Sequence, residues 1–189
     1  MYKSLRLNRK RRGKRRLPAR VKTPLGVPAG VKQNWSLNFM SDALWSGRRF
    51  RTFNVLDDFN RGAQRVEIDT SLPAARIVRA LDELVEVRGK PRRVRIDNGP
   101  EFLSEVFARW AKRHDIELTL IQPGKPMPNG YVERFNRSYR EELLNACGFE
   151  FLDEVRRMTA DWLARYNEYR PHESLNNLSP IQYLAAKPT

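Results

Sequence analysis

From Trp35 onward the chain alternates. Trp35, Leu37 and Phe39 are apolar and Ser36 and Asn38 between them are polar, a period of two that predicts a strand with one buried face. Ser46-Gly47 marks a turn, Arg49 to Leu56 alternates again, and Gln64 to Ile68 supplies a third strand, so an antiparallel meander is expected. The period then changes. Pro73 opens and Gly89 closes a helix in which Ile77, Val78, Leu81, Leu84 and Val85 share one face. Next come a short strand at Arg93 to Ile96, a helix at Glu101 to Arg113 with Phe102, Val106 and Trp110 on one stripe, and a strand at Ile116 to Leu120. Three prolines within residues 122–129 remove backbone donors, so that segment should be a loop. Asn129 is placed to cap a helix running to about Cys147 and Gly148. A last amphipathic helix should turn Leu152, Val155, Trp162, Tyr166 and Tyr169 inward before Pro171 stops it.

Meander strands followed by alternating elements predict an α/β fold, a mixed five-stranded sheet flanked by helices, over residues 34–189. Residues 1–33 lack apolar periodicity and contain Pro18, Pro24, Gly26, Pro28 and Gly30, so they read as a basic, largely extended linker or arm. Residues 1–22 hold 11 Lys or Arg and no acid, which leaves +3 of the +14 net charge for the rest of the chain. Such a block, including Arg11, Arg12, Lys14, Arg15 and Arg16, favours a polyanion through counterion release, and nucleic acid is the expected partner. A solubilising arm with no specific partner is the other reading of charge alone.

Cys147 has no second cysteine to pair with, and His114 and His172 offer no zinc-ligand spacing. No apolar run reaches the ~18 residues of a membrane span, and the first thirty residues are too charged for a signal peptide. A reducing, cytoplasmic setting is expected, with no membrane partner and no small-molecule substrate.

Asn38 in the first strand, Asp97 at the end of the fourth and Glu133 early in a helix are polar where structure alone gives little reason for them. Each has a structural alternative. Asp97 precedes Asn98-Gly99 and so can form a turn. Glu133 suits a helix N-terminus and has Arg137 four residues on for a surface ion pair.

The segments Arg95-Ile96-Asp97-Asn98-Gly99-Pro100-Glu101-Phe102 and Pro128-Asn129-Gly130-Tyr131-Val132-Glu133-Arg134-Phe135-Asn136 put 35 residues between Asp97 and Glu133. In this the chain resembles the integrase core of bacterial insertion-sequence transposases, relatives of the retroviral integrases. The resemblance extends through Val55-Leu56-Asp57-Asp58-Phe59, Pro123-Gly124-Lys125-Pro126, Tyr166-Asn167 and Arg170-Pro171-His172. It implies an RNase H-like fold and a site in which three carboxylates bind two Mg²⁺ or Mn²⁺ ions, here through Asp97 and Glu133. Carboxylate oxygens suit such hard ions, and paired metals stabilise attacking and leaving oxygens together. It further implies strand transfer between transposon ends and target double-stranded DNA, self-association, and a bacterial, nucleoid-associated location. Arg137, Arg140 and Lys125 are the expected DNA contacts beside the basic arm.

Two departures qualify this. The family's Trp-Ser-x-Asp-Phe pattern reads Trp35-Ser36-Leu37-Asn38-Phe39, so the first catalytic carboxylate is replaced by an amide. Impaired catalysis is expected, with a catalytically silent DNA-binding remnant that occupies transposon ends or pairs with intact transposase as the alternative. Asp42 lies on the same strand face, yet four strand residues at ~3.3 Å place it ~13 Å away, too far to substitute. Met1 stands almost inside the basic linker, so an N-terminal truncation that removes the family's end-recognition modules is expected. Asp57, Asp58, His172 and Cys147 read as structural, with His172 hydrogen-bonded after the last helix.

Overall fold

The structure, a computed structural model, describes residues 28–121 and 130–187. Strands β1 (Asn34–Ala43), β2 (Arg49–Asp57) and β3 (Ala63–Asp69) form the antiparallel meander. Gly47 takes φ 79° in the β1–β2 turn, where a residue with a Cβ would be strained. Strands β4 (Arg93–Ile96) and β5 (Glu117–Leu120) add in parallel to the other edge of β1, giving the order β3-β2-β1-β4-β5. Parallel pairing requires crossovers, and these are α1 (Ala74–Arg88) and α2 (Glu105–Arg113).

The sheet carries a separate apolar core on each face, as expected of strands covered on both sides. Leu37, Phe53, Val55, Val94 and Ile96 pack against Ile77, Leu81, Leu84, Phe107 and Trp110 of α1 and α2. On the other face Met40, Phe50, Leu56 and Ile68 meet α3 (Gly130–Tyr139) and α4 (Leu152–Glu168) through Phe135, Tyr139, Val155, Trp162 and Tyr166. Alternation along β1 therefore gives Ser36, Asn38 and Met40 to the α3 side. That assignment positions the candidate site.

Several boundaries differ from the sequence expectation. Helix α2 starts at Glu105, because the Ser104 hydroxyl accepts from Phe107 N–H and caps it there. Residues 101–104 form a turn from which Phe102 is buried, while Val106 is 38% exposed and Phe107 takes its place in the core. The helix after 122–129 is α only to Tyr139. Arg140–Leu144 is a π turn in which Asn145 N–H donates to the Arg140 carbonyl at 2.8 Å. Tyr169 is 72% exposed, because α4 ends at Glu168 and the backbone leaves the helix there. An unexpected helix α5 (Pro180–Ala185) follows, with Ser179 and Gln182 forming its capping box. His172 therefore precedes the last helix. Its backbone N–H donates to Leu178, but its Nε2 has no partner among the described residues. The proposed linker falls on residues 1–33, of which 1–27 lie outside the described residues, as does Asn129. No described helix is long and apolar enough to cross a membrane.

The β2–β3 connection is braced by buried acids. Asp57 accepts the N–H groups of Lys32 at 2.8 Å and Phe59 at 2.9 Å. Asp58 accepts the Ser36 hydroxyl at 2.6 Å and Arg95 Nη1 at 2.9 Å. Burial pushes the Asp58 carboxyl up to about 6, against the pull of Ser36 and Arg95.

Candidate active site

Three elements converge near the carboxyl end of β4. The parallel register pairs Ser36 with Arg95, and two residues further along each strand brings Asn38 abreast of Asp97. On the other side of β1, Asn38 faces Asn54 of β2. Helix α3 packs on β1 and β2 from this face and contributes Asn136. Its Nδ2 donates to Asn38 Oδ1 at 2.7 Å, and its Oδ1 accepts from Asn54 Nδ2 at 2.7 Å. Glu133 sits three residues before Asn136 on the same helix face.

Asp97 closes a tight turn in which its Oδ1 accepts Gly99 N–H at 2.8 Å. A Cβ at Gly99 would stand 2.9 Å from that oxygen, so only glycine admits the approach. The turn thus orients the carboxylate, and its other oxygen has no partner among the described residues. Glu133 is exposed and, among the described residues, makes no hydrogen bond or ion pair, with Arg137 or any other group. The surface pair considered as its structural explanation does not form.

Position 38 behaves differently. Asn38 Oδ1 is occupied by Asn136, and among the described residues no three His, Cys, Asp or Glu side chains converge where a metal could be held. Two carboxylates and an amide oxygen form a weaker donor set than three carboxylates, since each lost anion leaves divalent charge uncompensated. Asp42 does not compensate. It is held by Arg140 at 3.3 Å, and Arg140 Nη2 also donates to the Ser41 carbonyl at 3.1 Å. Arg140 is thereby tied to the end of β1, whereas Arg137 is exposed on the helix of Glu133 and has no ion-pair partner among the described residues. Lys125 and Arg11, Arg12, Lys14, Arg15 and Arg16 lie outside the described residues.

Sequence reasoning did not single out Asn54 or Asn136. The available signal was spacing, because Asn136 follows Glu133 by three on a helix, but the Asn38–Asn54 partnership needed the strand register. Asn54 is buried, and among the described residues only Asn136 receives its Nδ2. Asn136→Ala should therefore cost about 1–3 kcal/mol, the price of a buried donor left unmatched. Urea unfolding checks this; unchanged stability would mean the amide chain holds nothing in place.

An open α/β sheet of this order, with an acid after its fourth strand and another on a covering helix, has the architecture of an RNase H-like core. The integrase core domain family matches in two models, over residues 28–126 and 114–180. The 39.2 kDa protein of insertion element IS476 from Xanthomonas euvesicatoria is 39% identical over 98% of this chain and 54% of its own length. The 31.7 kDa protein of IS407 from Burkholderia multivorans is 39% identical over 98% of this chain and 67% of its own. Among solved structures, a simian T-cell lymphotropic virus intasome bound to PP2A regulatory subunit B56 gamma superposes with TM-score 0.69 at 17% identity, covering 91% of this chain and 61% of that one. The HTLV-2 integrase catalytic core in complex with magnesium gives 0.63 at 19% identity, covering 80% and 95%. The chain belongs to the integrase core family of bacterial insertion elements. It spans about half to two thirds of the length of these curated relatives.

Proposed function

We propose that this chain is the core of a transposase that binds double-stranded DNA and whose strand-transfer chemistry is impaired at Asn38. The observation that carries the reading is the meeting of Asn38, Asp97 and the helix of Glu133 on one sheet face, with Glu133 unpaired. Asp97 and Glu133 would hold Mg²⁺ or Mn²⁺. When bound, such an ion supplies Lewis-acid stabilisation of the oxygens that exchange at phosphorus.

The chain's own residues orient and position. The Asp97–Gly99 turn fixes one carboxylate, Asn136 fixes residue 38, and Arg137 stands ready for a backbone phosphate beside Glu133. Family membership supports transposon ends and target DNA as substrates, with self-association as the means of holding two ends. The silent DNA-binding remnant is favoured by one specific observation: the amide oxygen at 38 accepts from Asn136, which in turn accepts from Asn54, so an uncharged residue 38 is still held by its neighbours.

The test uses a pre-branched DNA carrying ready-made ends, with Mg²⁺ or Mn²⁺. We expect binding that weakens steeply with salt, and joining close to background. Efficient joining that persists in Glu133→Gln would overturn the site assignment, and absence of DNA binding at low salt would overturn the function.

A further inference from the structure

On the flank of α3 away from β1, a pocket of about 250 Å³ is lined by Arg61, Arg134, Arg170, His172, Ser138 and Ser174, among others. The geometry points to a second site, for a phosphate group of the DNA strand, which rests on the DNA-binding reading above. Its polar lining consists of donors. Arg170 donates to Ser138 at 3.0 Å and is neutralised by Glu142 at 2.7 Å. Arg61 and Arg134 have no such acid. Arg134 makes no ion pair among the described residues. Asp57 and Asp58, whose charges reach Arg61, are already held, Asp57 by the N–H groups of Lys32 and Phe59 and Asp58 by Arg95 and Ser36.

Two of these groups are buried and unsatisfied. Arg61 is 7% exposed, lies in the left-handed region at φ 59°, and stacks its guanidinium 3.4 Å from the centroid of the Tyr131 ring. Its Nη1 donates a long hydrogen bond to Phe59 O, at 3.5 Å, the Tyr131 side chain is its other polar neighbour, and its Nε has no partner among the described residues. His172 is also 7% exposed, and its Nε2 has no partner. Burial, with Arg170, Arg134 and Arg61 around it, pushes the imidazole down to about 4, so the ring is neutral near pH 7 and free to present an N–H there. Burying an arginine with an unmatched donor costs free energy unless an acceptor arrives, and a bidentate phosphate is the acceptor that guanidinium geometry matches best.

The position is informative too. Tyr131, Arg134 and Ser138 line the pocket from one face of α3, and Arg134 is the residue next to Glu133. A phosphate seated here would fix the strand on one flank of the helix while the carboxylates work on the other. The source is either a terminal 5′-phosphate reaching in or an internal phosphodiester passing over.

The experiment titrates the full chain, ¹⁵N-labelled at its histidines, in EDTA. His172 reports on the pocket, and His114, bonded to Asp82 at 2.9 Å, is the internal reference. Inorganic phosphate should shift the His172 ring nitrogens saturably and leave His114 unmoved. Arg134→Gln, at an exposed position, should weaken the response about tenfold, whereas Arg157→Gln on exposed α4 surface should not. Short single strands with a 5′-phosphate or a 5′-hydroxyl separate the sources. Preference for the phosphorylated strand identifies the terminus, and equal binding that Arg134→Gln weakens identifies the backbone. Phosphate binding with no Arg134-dependent response to either strand would reduce the site to one for free anions and overturn its assignment to DNA. An unmoved His172, or equal effects of both arginine variants, would overturn the pocket itself. Because no metal is present, failure of strand joining leaves these outcomes unaffected, and failure of the pocket leaves the carboxylate site standing.

Discussion

Asn38→Asp should raise Mg²⁺- or Mn²⁺-dependent joining of a pre-branched DNA by roughly 10²–10³-fold, the scale associated with one preorganised electrostatic group. The substitution is isosteric, and Asn136 Nδ2 already donates to Oδ1 at 2.7 Å, so the carboxylate inherits an existing hydrogen bond. Its second oxygen replaces the NH₂ and supplies the missing charge. A divalent ion would then meet three anions instead of two, and Mg²⁺ should also raise the melting temperature of the variant more than that of the parent. Adding Glu133→Gln should abolish the gain. Asp42→Ala should leave joining nearly unchanged, because Asp42 serves Arg140. If the revertant binds DNA and still joins nothing, the chain is better described as a DNA-binding remnant.

The second large effect concerns stability. Arg95→Met should destabilise the fold by about 3–5 kcal/mol, the usual result of breaking a buried ion pair from one side. Asp58 is fully buried and Arg95 is 11% exposed, with 2.9 Å between them. Among the described residues Ser36 would remain the only hydrogen-bond donor to a carboxylate that burial already disfavours. The pH dependence follows from linkage. The folded value of about 6 lies above the 3.8 of an unperturbed Asp, so the native state binds the extra proton between them. The stability this group contributes is fully present below 3.8 and is lost as pH rises to about 6. Without Arg95 the folded value moves higher still, so the deficit of Arg95→Met should be largest near pH 7 and shrink towards pH 4. Urea titrations at several pH values check this. A deficit independent of pH would assign the loss to packing, with no part for the charge.

Much of this architecture was legible because apolar alternation is a local property. The meander, α1, β4 and β5 each announced themselves within a few residues, and the spacing of Asp97 and Glu133 was visible directly. What escaped depends on competition or on distance. Phe102 and Trp110 suggested a helix from Glu101, but the Ser104 hydroxyl captured Phe107 N–H and started it later. Tyr169 matched the inward stripe of α4, yet the helix stops one residue before it. The π turn after Tyr139 has no compositional signature, since it arises from one backbone donor choosing a carbonyl five residues back. At the site, Asn38 drew notice as a missing carboxylate, but its bond to Asn136 joins residues 98 positions apart, a distance that periodicity does not bridge.

The parallel arrangement of β1 and β4 also has a kinetic side. Asn38 and Asp97 come abreast only after the chain has left β1, completed β2, β3 and α1, and returned to dock β4. Contacts closed over such long loops form late, because the entropy of closure must be met before they contribute. The meander can assemble from neighbours, while the meeting of Asn38 and Asp97 waits for the slowest docking event. A nascent or partly folded copy therefore holds Asn38, Asp97 and Glu133 apart, and the proposed site exists only once the whole sheet is closed.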